Sequence, residues 1–366
     1  IRIRNAVEKI GAKRVVLDSI AALFSKIPKN EIVRREIVRL KSCLKSLSVT
    51  TLITSEVYNP GNNFHYNVLD FVSDNVVLLK NSMIEEYRRR TVEILKFRGV
   101  PHEKGQNSFT IKNEEGIVII SFKRRGGFPR RKRVRQSSGI NELDEMTGGG
   151  FFKGTSVLIS GQTGTGKTLL AISMIDGALR NGEKCMMFNF EESREQVLYK
   201  AKIWGIDLEK AEESDKFQLT CVYPESKGIE DLVVDIKDSI QTHKPDRIVI
   251  DSISALERIT TKLTFRQSLI NLILFLREMN ILAILNSTMP TFSGQTYLPE
   301  EHVSTLSDAI ILLKYFERDG EMIRGLAVMK LRDSDHSKRF REYIINQKGI
   351  LFLEPLKGEM GTFQSL

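Results

Sequence analysis

Two periodicities alternate along most of the chain. Short, nearly uninterrupted apolar runs (Ser156 to Ile159, Lys184 to Phe190, Arg247 to Asp251, Ile281 to Leu285 and Ala309 to Leu313) read as strands buried on both faces. Between them, Leu169 to Leu179, residues 194–203, Asp231 to Gln241 and Phe265 to Met279 read as helices. The last is apolar on so many faces that most of it must be buried. Trp204-Gly205 and Pro245 are stop signals. Strands alternating with helices predict an α/β fold with a mostly parallel sheet between helices.

The turn after the first of these strands carries the clearest chemistry. Gly161-Gln162-Thr163-Gly164-Thr165-Gly166-Lys167-Thr168 fits the phosphate-loop pattern, and strand before and helix after are the context that pattern requires. Its glycines allow close backbone approach, so that successive N–H groups and the helix N-terminus face the phosphates of ATP. Lys167 is placed to reach the β and γ phosphates, and Thr168 to offer its hydroxyl to Mg²⁺. Asp251 ends an apolar strand, where a parallel sheet presents its C-terminal edge, and a carboxylate there can hold Mg²⁺ through water. Glu191 and Glu192 end the neighbouring strand. A carboxylate at that position can orient and deprotonate an attacking water or hydroxyl, or can merely favour the positive end of the next helix.

The chain also repeats itself. Arg14-Val15-Val16-Leu17-Asp18-Ser19-Ile20 is nearly the same text as Arg247-Ile248-Val249-Ile250-Asp251-Ser252-Ile253, an offset of 233 from Asp18 to Asp251. Ser73-Asp74 answers Ser307-Asp308, and Lys96-Phe97-Arg98 answers Lys330-Leu331-Arg332, both offset by 234. So long a period means two copies of one whole domain. The expected organisation is the back half of a first copy over residues 1–122, a linker over 123–138, and a complete second copy over 139–366. On this reading the first copy's phosphate loop lies upstream of Ile1, and residues 1–122 do not hold ATP by themselves.

Composition narrows the class. At 366 residues, 41% hydrophobic and 28% charged, the chain reads as an ordinary globular protein with room for about two domains. No apolar run approaches the roughly 18 residues of a membrane span, and no signal-peptide pattern opens it, so no membrane partner and a cytoplasmic location are expected. Cys43, Cys185 and Cys221 are spaced as reduced core thiols, and the five histidines form no ligand pattern. The net charge of +9 favours acidic partners, the nucleotide among them. The basic run Lys123 to Arg135 reads either as a solvated linker or as a nucleic-acid patch, with Phe128 its single aromatic.

Glu142-Leu143-Asp144-Glu145-Met146, Gly148 to Lys153, the loop Gly161 to Thr168 and Phe190-Glu191-Glu192-Ser193-Arg194 together resemble the KaiC family of RecA-like ATPases, in particular its second domain. The resemblance runs from Ile1 to about Phe352. It implies tandem RecA-like P-loop domains, a homo-hexameric ring and ATP bound between subunits. By matching motif, Glu191 and Glu192 are similar to the family's catalytic glutamates, Trp204 to an adenine-pocket aromatic, and Arg324 to a residue near the nucleotide. Lys330 and Arg332 resemble a basic pair that reaches the γ-phosphate of the adjoining subunit. Ser304 and Thr305 resemble adjacent hydroxyls that accept phosphate from ATP, which makes a Ser/Thr autokinase acting as a timing or signalling switch the expected function. The first copy has Asp70 and Phe71 at the matching positions. Pro299, where the family's clock protein has another hydroxyl residue, and the tail Leu356 to Leu366 depart from the pattern. A RadA- or RecA-like DNA-binding ATPase, or a slow regulatory ATPase without autophosphorylation, are the competing readings.

Overall fold

A computed structural model describes residues 2–20, 22, 30–56, 69–84, 87–120, 133–289, 301–347, 349–356 and 361–362. The chain parts into two compact units, one of Ile1–Ser82 with Arg90–Ser108 and the other of Met83–Arg89 with Phe109–Leu366. Pro299, most of the basic run and the end of the tail lie outside the described residues.

In the first unit the helix Arg2–Ile10 leads into β1 (Arg14–Leu17), and the helix Asn30–Ser46 into β2 (Thr50–Ile53). β1 and β2 pair in parallel, Arg14 opposite Thr50 and Leu17 opposite Ile53. The chain continues through β3 (Asn75–Ile84), β4 (Tyr87–Phe97) and β5 (Gln106–Lys112), each divided between the two units, to β6 (Gly116–Ile120) in the second; within the first unit Thr91 of β4 is antiparallel to Ser108 of β5. The core here is small, built on Ile20, Val33, Ile37 and Leu69. Val16, Leu52 and Val77 stay exposed, whereas Val249, Leu285 and Ile311, their counterparts in the repeat, are fully buried.

Further along the second unit, β7 (Arg135–Gln136) pairs with β8 (Phe151–Phe152) around the helix Asn141–Thr147. Its large sheet comprises β9 (Ser156–Gly161), β10 (Cys185–Asn189), β11 (Phe217–Cys221), β12 (Arg247–Asp251), β13 (Leu282–Thr288), β14 (Ala309–Arg318), β15 (Glu321–Leu331), β16 (Arg341–Asn346) and β17 (Gly349–Pro355). Across the sheet the order is β11-β10-β12-β13-β9-β14-β15-β16-β17, with the short β18 (Gly361–Thr362) also against β14. From β11 to β14 every pairing is parallel, and from β14 to β17 every pairing is antiparallel. The strands expected from the apolar runs are all among the parallel set.

Period-two alternation sorts this sheet's side chains to two cores. Val157, Ile159, Met187, Val249, Ile284 and Ile311 face the helix Lys167–Arg180 side, with Leu170 and Met174 of that helix. Leu158, Met186, Ile248, Ile250 and Leu285 face the other side, against the helices Ile229–His243 and Lys262–Glu278. The helices Lys167–Arg180 and Ile229–His243 run one or two residues further at each end than their periodicity predicts, Arg194–Ile203 spans its predicted stretch, and Lys262–Glu278 begins three residues earlier and stops one short. Lys167 joins the first because Gly166 ahead of it takes the left-handed conformation, φ 95°. Thr261 caps the last through the Thr264 N–H. The helix Leu208–Glu213, β11 and the antiparallel extension β15 to β17 have mixed polar patterns and carried no clear period in the sequence.

The three cysteines are free thiols, and burial pushes Cys185 up to about 12 and Cys221 up to about 11, so neither is a reactive thiolate. Among the described residues no helix is long and apolar enough to cross a membrane. Arg133 and Arg135, at the end of the basic run, are tied down: Arg133 pairs with Asp333 at 2.9 Å, and Arg135 donates to the Thr147 and Gly150 carbonyls while lying over the Phe152 ring.

One close approach holds the phosphate-loop helix to the chain that precedes it. A Cβ on Gly177 would fall 2.3 Å from the Gly139 Cα, backbone against backbone, with no flexible side chain to give way. Gly177→Ala should therefore destabilise the second unit by about 1–3 kcal/mol through overpacking, despite alanine's better helix propensity. Equal or higher stability of the variant in chemical denaturation would contradict this.

Candidate nucleotide site

Because the central strands are parallel, their C-terminal ends share one edge of the sheet. β9 ends in Gly161, β10 in Asn189 and β12 in Asp251. The loop, both glutamates and the buried aspartate are thereby gathered at that edge.

Within the loop, the Thr165 hydroxyl donates to the Gln162 carbonyl at 2.7 Å and closes the turn. Lys167 lies folded back, its Nζ donating to the carbonyls of Gly161 at 2.9 Å and Gln162 at 3.0 Å. Burial lowers its ammonium below the ordinary lysine range, with Asp251 and then Glu191 pulling the other way. The Thr168 hydroxyl donates to Asp251 Oδ2 at 2.6 Å. Burial raises the Asp251 carboxyl, against the hydrogen bond from Thr168 and the nearby Asn286 amide. A hydroxyl oxygen and a buried carboxylate oxygen side by side at the head of the loop helix are hard donors of the kind that suits Mg²⁺. Among the described residues no cluster of three or more His, Cys, Asp or Glu forms a separate metal site.

The two glutamates differ in their surroundings. Asn189 Oδ1 accepts from both backbone N–H groups, at 3.0 and 2.7 Å, which bends the chain at the strand end. Ser193 then opens the next helix with a capping box shared with Gln196. Glu191 accepts from the Ser252 hydroxyl at 2.9 Å and faces Arg258 at 3.5 Å. Glu192 is instead ion-paired to Lys200 at 2.5 Å. Glu191 thus acts on both Lys167 and Asp251, whereas Glu192 acts on Asp251 but is held by the helix beside it. Ser252, Arg258, Lys200 and Asn189 were not found by sequence reasoning. Only Ser252, directly after Asp251, stood beside a recognised position.

Trp204 closes the helix Arg194–Ile203 and is half-buried against the core on the loop-helix side of the sheet. Arg324 lies 5.5 Å over the Tyr315 ring, and a Cβ on Gly164 would fall 2.9 Å from the Tyr315 hydroxyl, so Arg324 sits behind the phosphate loop through Tyr315.

The remaining predicted residues are gathered elsewhere. Ser304 and Thr305 lie on the short helix Glu301–Leu306, which runs into β14 at its N-terminal end. Lys330 donates to the carbonyls of Ser304 at 2.9 Å and Ser307 at 2.8 Å, and Arg332 to that of Thr305 at 2.8 Å. Cations on the closing carbonyls of a helix are favourably placed. Burial lowers Lys330, Arg332 lowers it further, and Asp308 opposes both. The first unit repeats this arrangement: Lys96 donates to the carbonyls of Asp70 and Ser73, each at 2.7 Å, and Arg98 to that of Phe71 at 3.4 Å. This group sits at the sheet edge opposite the phosphate loop, because β9 and β14 are parallel with Ala309 opposite Val157 and Leu313 opposite Gly161.

The parallel sheet between two helical layers, with a phosphate loop at its C-terminal edge, defines a RecA-like P-loop ATPase. The family model for the KaiC ATPase matches residues 1–124 and 136–357. The chain is 43% identical over 361 residues to the circadian clock protein KaiC3 of Synechocystis sp., covering 98% of this chain and 72% of that one. It is 44% identical over 358 residues to the circadian clock oscillator protein KaiC of Parathermosynechococcus lividus (98% of this chain, 66% of the relative). With KaiC of Thermostichus vulcanus identity is 45% over 349 residues, 95% of this chain and 67% of the relative. The chain belongs to the KaiC family of ATP-binding ATPases, and spans about two thirds to three quarters of the length of these relatives.

The buried charge on Asp251 has a measurable cost. A carboxyl whose folded value is raised loses its stabilising contribution as pH rises through that value, since the folded state then holds an unprotonated acid away from water. In nucleotide- and metal-free buffer Asp251→Asn should therefore melt higher than the parent at about pH 8, with the gap shrinking towards about pH 4. A gap that widens towards acid would contradict this.

Proposed function

We propose that this KaiC-family ATPase is a Ser/Thr autokinase that transfers the γ-phosphate of ATP to Ser304 and Thr305 of a neighbouring subunit. The observation that carries the reading is the polarity of β9. Its six residues separate the phosphate loop at one sheet edge from the hydroxyls at the other by roughly 15–20 Å, at about 3.3 Å per residue. No loop movement within one chain brings those groups into line for transfer. In a head-to-tail ring, one subunit's opposite edge faces the next subunit's loop.

In this mechanism the N–H groups from Gln162 to Thr168 bind the phosphates. Lys167 leaves the Gly161 and Gln162 carbonyls for the β and γ oxygens, where a charge-assisted bond is stronger. Mg²⁺, which Thr168 and Asp251 would hold, supplies neutralisation of the phosphate charge when bound. Glu191, oriented by Ser252 and Arg258, takes the proton of the attacking hydroxyl or water. Glu192, held by Lys200, keeps the strand end in place. Lys330 and Arg332, on the same element group as the acceptors, stabilise the transferring phosphoryl across the subunit boundary. Trp204 and Arg324 complete the nucleotide's surroundings. The repeat supports a tandem organisation, 1–122 and 139–366 about a 123–138 linker, in which only the second copy carries acceptor hydroxyls. The phosphorylation state of those hydroxyls is the switch that such an enzyme reads out, in the cytoplasm and without a membrane partner.

Mixing two variants tests this. Lys167→Ala subunits cannot hold ATP in the second unit but keep Ser304 and Thr305. Ser304→Ala/Thr305→Ala subunits hold ATP but lack acceptors. Incubated together with labelled ATP, only the Lys167→Ala chain should be labelled, and Glu191→Gln in the donor should cut the rate roughly 10²-fold or more. Single-stranded DNA should leave the rate unchanged. ATP hydrolysis with no label on Ser304 or Thr305 would leave a regulatory ATPase without autokinase activity.

A further inference from the structure

We infer that Tyr343 is a positioning residue for the phosphate loop, acting through the peptide between Thr165 and Gly166. Tyr343 lies on β16, in the antiparallel part of the sheet, and is only 1% exposed. Its hydroxyl donates to the Thr165 carbonyl at 2.5 Å, across 178 residues of sequence. Its ring packs near Phe352, 6.0 Å between centroids.

The consequence follows from peptide planarity. In a trans peptide the C=O and the following N–H point in opposite directions. Holding the Thr165 carbonyl towards the sheet therefore aims the Gly166 N–H away from it, to the concave side of the loop where the phosphates bind. Gly166 is left-handed, φ 95°, a conformation from which the peptide can rotate the other way, and the Tyr343 bond to the carbonyl opposes that flip. The neighbours on the same wall restrict the same turn. A Cβ on Gly166 would fall 2.7 Å from Ile345 Cδ1, also on β16, and Gly164 lies against the Tyr315 hydroxyl from β14. The loop thus rests on side chains supplied by β14 and β16, and Tyr343 alone among them is bonded to its backbone in the described residues.

The inference rests on Gly161 to Thr168 being the phosphate loop, and the test keeps the two apart. Tyr343→Phe retains the ring and removes only the hydroxyl. Its KM for ATP should rise roughly tenfold while kcat stays within about twofold, because a misaimed N–H weakens ground and transition states alike. Hydrogen exchange at the 162–168 amides of the nucleotide-free protein should quicken in the same variant. Phe352→Leu, which disturbs the same packing without touching the hydroxyl, should lower the melting temperature and leave KM unchanged. An unchanged KM and unchanged loop exchange in Tyr343→Phe, or an equal KM rise in Phe352→Leu, would overturn the positioning role. ATP binding retained in the second unit of Lys167→Ala would overturn the loop assignment, and the inference with it.

Discussion

The second unit depends on the interlock between Asp308 and Ser156. The Asp308 N–H donates to the Ser156 carbonyl at 2.8 Å, and Asp308 Oδ2 accepts from the Ser156 N–H at 3.0 Å and its hydroxyl at 3.2 Å. Two backbone groups and one side chain are satisfied at the first residue of β9, so β14 can enter the sheet in one register only. Arg277 at 2.6 Å and Arg332 at 3.4 Å balance the carboxylate, which is largely buried. Leaving that charge uncompensated would be costly, and the network therefore holds the helix Lys262–Glu278 and β15 to the same point.

From that register the site's geometry follows. β9 carries the loop to one edge, and β14 begins where the helix bearing Ser304 and Thr305 ends, at the other. Arg332 is shared between Asp308 and the Thr305 carbonyl, so the residue that locks the strand register also touches the end of the helix bearing the hydroxyls. The first unit contains the same device in smaller form, with Arg98 on Asp74 and Lys96 on the carbonyls of Asp70 and Ser73. A basic pair closing a short helix is thus part of the repeated architecture, and the hydroxyls at Ser304 and Thr305 are what distinguishes the second copy.

The antiparallel strands β15 to β17 give the sheet a second role. A parallel sheet alone presents only strand ends and loops at its edge, whereas β14 and β16 run under the phosphate loop and place Tyr315, Tyr343 and Ile345 against it. Buried Tyr343 satisfies a carbonyl that would otherwise face a dry interior, and its own titration is pushed well up by burial. The loop is therefore shaped from below as well as by its own glycines.

Local chemistry was legible in the sequence. The loop pattern between a strand and a helix, the carboxylates at strand ends and the 233- to 234-residue echo depend on residue type and short spacing, which the chain order displays directly. Buried strands announced themselves because both faces of a parallel sheet must be apolar. What the order of residues could not display was the edge on which each group falls. Glu191 and Glu192 are adjacent, yet Ser252 and Arg258 draw one to the loop while Lys200 holds the other, through partners 61, 67 and 8 positions away. Lys330 and Arg332 read in the sequence as a basic pair directed at a neighbouring subunit's γ-phosphate, and only folding set them on the carbonyls of Ser304 and Thr305. Tyr343 had no motif at all. Its hydrogen bond to Thr165 exists because three antiparallel strands, whose mixed patterns carry no clear period, bring a hydroxyl under a carbonyl. Hydrogen bonds and ion pairs between distant segments are decided by register, and register is a property of the whole sheet.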